Sequence, residues 1–66
     1  MDDNEHDEQY WLARRHRALY FASVMATARL SRNRALVEGD FFACLYYHEK
    51  YVNSKAEFEA IISEFP

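Results

Sequence analysis

The sequence has one glycine, Gly39, and one proline, Pro66, in 66 residues. So few backbone breakers exclude the many tight turns of an all-β domain, and no stretch alternates apolar and polar residues for long enough to form a half-buried strand. It has one cysteine, Cys44, which excludes an internal disulfide and suits a reducing compartment. No apolar run approaches the ~18 residues of a membrane span. The opening "MDDNEHDEQ" is acidic and polar, unlike a secretory signal. A soluble, cytoplasmic protein without membrane contact is expected. Catalytic signatures are also missing. There is no glycine loop for a phosphate and no serine in a nucleophile-elbow setting. Glu57 and Glu59 stand two apart, so on a helix they point different ways and make no acid/base pair. An enzyme is not expected, and neither is a cofactor.

What is present is apolar and aromatic surface. Half of the residues are hydrophobic and 17% are aromatic. A chain of this size buries only about 60% of the surface its unfolded form exposes, so a lone core is marginal. Disulfides, metals or partner subunits are the usual remedies. With no disulfide available, oligomerisation is the expected one, and a homodimer its commonest form. Charge is distributed in blocks. Residues 1–9 carry five acids and no Lys or Arg. Residues 10–37 carry six arginines and no acid, and from Glu38 onward six acids face Lys50 and Lys55.

Ala, Leu, Arg and Glu in a chain nearly free of breakers predict an all-α fold. The expected domains are a disordered acidic N-terminus, 1–6, and a single helical domain, 7–66. A long helix 1 is expected over about 8–37, kinked or unbroken at Asn33. Its apolar stripe is read as Trp11, Leu12, Ala18, Leu19, Ala22, Met25, Ala26 and Leu30. Gly39 is the natural stop, and Asp40 the cap of a helix 2 over about 41–52. Asn53 and Ser54 interrupt the pattern. Ser54 to Glu57, "SKAE", matches a capping box, and Phe58, Ile61, Ile62 and Phe65 follow at helical spacing. A short helix 3 over about 55–64 is therefore expected, folded back on a helical hairpin. The expected core includes Leu19, Ala22, Met25, Leu30, Phe41, Leu45, Phe58, Ile61 and Ile62.

Helix 2 carries large rings almost all the way round: Phe41, Phe42, Tyr46, Tyr47 and Tyr51. One small chain cannot hide so many. Tyr46, Tyr47 and Lys50 lie off the main stripe and are candidates for a protein–protein interface, with Trp11 and Phe42 as anchors. The arginines admit a second reading. Arg14, Arg17, Arg29 and Arg32 span one broad side of helix 1 and could meet nucleic acid or an acidic partner. The sequence pI of about 5.5 argues against the first. Arginine without lysine favours carboxylate pairing and ring stacking as much as phosphate contact. Cys44 and His48 stand one helical turn apart, a spacing that can hold a metal, with His16 as a conceivable third ligand. Two ligands are not a site, and no metal is expected.

"GDFFACLYYHEKYVN", Gly39 to Asn53, resembles the second half of a tetratricopeptide repeat, where a Gly-Asp turn leads into an aromatic helix ending in Glu-Lys. Ala28, Ser31, Arg32 and Ala35 depart from that family's first helix. The resemblance implies a hairpin turning at Gly39, without implying peptide binding. In length, scarcity of Gly and Pro, aromatic richness and acidic start, the chain also resembles the short helical accessory proteins that lambda-like phages encode between their recombination and excision genes. That resemblance transfers no residue. It implies a non-enzymatic bacteriophage accessory protein that affects phage development or the host by contacting other proteins. The expectation is thus a regulatory interaction module, a homodimer that also meets another protein; the alternative is a nucleic-acid-binding regulator using helix 1.

Overall fold

A computed structural model of the chain describes residues 3–65, with side chains described from residue 7 onward. Of the segment 1–6, expected to be disordered, residues 1 and 2 lie outside the described residues, and helix begins at Asp3, ahead of the start expected near residue 8. Two helices make up the fold: α1, Asp3–Glu38, and α2, Phe41–Ile62. They pack against each other as an antiparallel hairpin, and no strand occurs among the described residues.

The turn between them is built from two residues of fitting chemistry. Gly39 has φ +76°, the left-handed conformation that L side chains resist. It lets the chain close a Schellman motif, with the Gly39 amide donating to the Leu36 carbonyl at 3.2 Å and the Asp40 amide to Ala35 at 2.9 Å. Asp40 then starts α2, its carboxylate accepting from the Ala43 amide at 3.1 Å. The expected stop and cap are both found where the sequence placed them. Space does not require the glycine, because a Cβ at Gly39 would meet nothing within 4 Å. A Gly39→Ala chain is therefore expected to lose only the backbone term, about 1 kcal/mol, read as a fall in the urea midpoint at unchanged slope.

The third helix is a correction. Residues 53 and 54 do not break the chain, and α2 runs from Phe41 to Ile62 without interruption. Ser54 is buried at mid-helix and does not act as a cap. Its small side chain fits where α2 presses on α1, and packing outweighs the mild helix penalty of Asn and Ser. The helix ends in a tightened turn, with the Glu64 amide donating to the Ile61 carbonyl at 3.1 Å and Phe65 to Ile62 at 3.1 Å.

The helices meet along a seam with alternating steps of three and four residues, as in a coiled coil. On α1 it runs through Trp11, Arg14, Ala18, Phe21, Met25, Ala28, Arg32 and Ala35. On α2 and the turn that follows it, the seam runs through Cys44, Tyr47, Tyr51, Ser54, Phe58, Ile61 and Phe65. Each of these residues is buried or half-buried. Among the described residues the buried ones are small apart from Ile61: Ala18, Ala28, Ala35 and Ser54. Alanines let the two backbones approach closely, but they bring little apolar area. The expected core is corrected accordingly. Ile61 is buried, and Ala22, Met25 and Phe58 are half-buried. Leu19, Leu30, Phe41, Leu45 and Ile62 are all exposed, because the seam runs to one side of the leucine stripe.

Candidate interaction surface

The open end of the hairpin is clasped by side chains far apart in sequence. Arg14 forms an ion pair with Glu64, and the Tyr10 hydroxyl donates to the same carboxylate at 3.4 Å. The Arg14 guanidinium also lies over the Tyr10 ring, 5.6 Å from its centroid. The hydrogen bond from Arg14 holds the Glu64 carboxyl below its ordinary range, and that same bond raises Arg14. Beside this pair Trp11 packs on Phe65 with ring centroids 5.0 Å apart. Trp11, an expected interface anchor, is thus half-buried in an intramolecular contact.

The remaining arginines scatter. Arg32 lies half-buried in the seam, over the Tyr51 ring at 5.6 Å, and its Nη1 donates to the His48 Nδ1 at 3.2 Å. Arg17 lies over the Phe21 ring at 5.6 Å. Arg34 pairs with Glu38 one turn on, at 3.5 Å and exposed, where such a pair contributes little. Arg15 and Arg29 make no ion pair among the described residues. The four arginines singled out for an anionic partner therefore do not form one patch. Arg14 and Arg32 are spent in the seam, while Arg17 and Arg29 flank it on opposite sides. No group of three His, Cys, Asp or Glu side chains among the described residues is placed to hold a metal ion. His48 is engaged by Arg32, and Cys44 is a free, half-buried thiol in the seam.

The aromatic candidates of α2 divide. Tyr46 and Lys50 are exposed, and Phe42 is 88% exposed. Tyr47 is half-buried, because it stands in the seam, with its ring edge-on to Tyr46 at 5.1 Å. Tyr47 and Lys50 also line a small groove of about 180 Å³ with Tyr20, Val24, Thr27 and Ser31 of α1.

Sequence reasoning misplaced a second apolar face. The two antiparallel helices are related by a two-fold axis normal to their common plane. Residues one step after a seam position therefore fall on the same face of the hairpin in both helices. On α1 these include Leu12 and Leu19, and on α2 Leu45, Val52 and Ile62, with Phe41 one turn before Leu45 in line with them; all six are exposed. Leu19 and Ile62 line one shallow groove of about 450 Å³ with Arg15, Ala18, Phe58 and Phe65, which confirms that they share this face. The signal was visible in the sequence as a second stripe parallel to the first, but the leucines made it look like the core.

The chain exposes 5383 Å², whereas a compact monomer of 7.9 kDa would expose about 4,400 Å². Its radius of gyration is 16.1 Å, against about 11 Å for a compact domain of this length. The structure measures 57 × 14 × 14 Å, an elongated rod of two helices. No helix among the described residues is long and apolar enough to cross a membrane. No known protein family, characterised protein or solved structure matches the chain.

Proposed function

We propose that the chain is a non-enzymatic protein–protein interaction module, a regulatory or accessory protein that works as a homodimer and offers a further surface to another protein. One observation carries this reading: the large apolar side chains that should make a core are outside. Leu19 is 60% exposed and Phe42 88%, while the seam buries mostly alanine. Surfaces of this kind mark contact sites. Tyr46, Phe42 and Lys50 are the residues offered to the other protein, with tyrosine supplying rigid area and a polar tip. Tyr47 supports that surface from the seam and Trp11 closes the far end. The resemblance to short helical phage accessory proteins fits a module that acts by contact. Nucleic-acid binding through α1 is the weaker reading, since Arg14 and Arg32 are engaged within the hairpin.

Light scattering at two protein concentrations tests the proposal. The mass is expected to climb toward twice the chain's 7.9 kDa at the higher concentration. A single-chain mass at both concentrations would refute the homodimer.

A further inference from the structure

Two exposed surfaces compete for the self-contact, and they differ in kind. The Tyr46–Lys50 surface is mixed, with Glu49 and Asn53 lining the same shallow depression. The face carrying Leu12, Leu19, Phe41, Leu45, Val52 and Ile62 is the richer in exposed apolar side chains, though polar ones, Asn33 and His48 among them, interrupt it. We infer that this second face is the contact with a second copy of the chain, giving a two-layer, four-helix bundle. The inference rests on the reading of the chain as a self-associating module and names the face that does it.

Area favours a second copy as the occupant. The hairpin exposes about 1,000 Å² more than a compact monomer of its mass. A stable interface takes roughly 800 Å² from each partner. The surplus, taken over the whole chain, is large enough to supply what one copy gives up in such a contact. Shape agrees with area. A rod 57 Å long and 14 Å across uses one side of each helix in its seam, and the apolar side chains left outside are covered by a second layer. Two such hairpins stacked face to face put the leucines at the centre of a bundle. An isologous contact also doubles every favourable feature of the face, so one set of residues completes both copies. Arg15, Arg29, Lys55 and Glu59 stand between the apolar positions. Their long stems can cover apolar surface while their heads reach water at the edge of the contact. The groove lined by Leu19, Phe58 and Ile62 offers a seat for side chains of the opposing copy.

Sedimentation equilibrium on the full chain and its variants tests this. Leu19→Glu with Val52→Glu is expected to raise the dimer dissociation constant by roughly tenfold or more, since both substitutions place charge within the apolar contact. Leu19→Lys with Val52→Lys should do the same. Mixing the two variants should restore a dimer of one acid-faced and one base-faced chain, which an unfolded chain could not do. Tyr46→Ser should leave the dissociation constant within about twofold of the parent. A parent dimer that survives both charged variants, or a mixture that fails to re-associate, overturns the assignment of the face while leaving self-association standing. A parent that stays single at every concentration overturns both.

Discussion

An Ala28→Phe chain is expected to unfold about 10–20 °C below the parent, followed by helical circular dichroism. Ala28 is 2% exposed and sits mid-seam, where the backbones of α1 and α2 come close because its side chain is only a methyl group. A ring there cannot leave toward solvent without pushing the helices apart. Overpacking of this kind costs about 1–3 kcal/mol, and a hairpin held by so thin a seam has little in reserve. The control is Ala13→Phe, at an exposed position of the same helix. It should move the midpoint by no more than about 3 °C, since surface substitutions stay within about 0.5 kcal/mol. Equal midpoints for the two variants would show that α1 and α2 do not meet at Ala28.

The opposite fault should be as costly. Among the described residues Ile61 is the one large aliphatic side chain buried in the seam, 3% exposed, near the open end of the hairpin. Ile61→Ala removes its methyl and methylene groups and leaves space that the rigid helices cannot refill. The expected loss is about 2–5 kcal/mol, comparable with the whole stability of a domain this small, so the variant should be largely unfolded at room temperature without denaturant. Its neighbour offers the contrast. Ile62 lies on the exposed face, and in dilute solution Ile62→Ala should cost no more than about 1 kcal/mol. Urea titrations of the two variants at low protein concentration give the comparison. A larger loss for Ile62 than for Ile61 would mean that the seam lies on the other stripe.

Local chemistry was legible in the sequence. The long first helix, the stop at Gly39 and the cap at Asp40 each follow from what one or two residues permit in the backbone. So did the all-α class, because nothing in the chain pleads for a strand. Which stripe faces inward was not legible. Ranking by hydrophobicity favours Leu12, Leu19 and Leu30, whereas the seam selects Ala18, Ala28 and Ala35 for close approach and tolerates Arg14 and Arg32 within it. Those two arginines look like breaks in a seam until their partners are seen: Glu64 and Tyr10 for one, Tyr51 and His48 for the other. Ser54 misled for a related reason. As a local signal it caps a helix; in the packed hairpin it is a small residue that fits the seam.

The exposure of the aromatic residues on α2 was half legible. Aromatic abundance on α2 marked a surface in excess of need, and Tyr46 and Phe42 are indeed outside. Spacing alone did not separate Tyr47 from Tyr46, because neighbouring residues on a helix diverge by only about 100° and either could face in. The apolar face opposite was hidden by its own strength: a stripe that greasy reads as core. It becomes core only when a second layer covers it.

On the proposal made above, one hairpin is an incomplete fold, finished by another copy. Thermal unfolding across a roughly hundredfold range of protein concentration tests it most directly, because association with the folded state alone makes the midpoint depend on concentration. The midpoint is expected to climb by several degrees from the lowest concentration to the highest. A reversible, cooperative transition whose midpoint stays fixed throughout would contradict it.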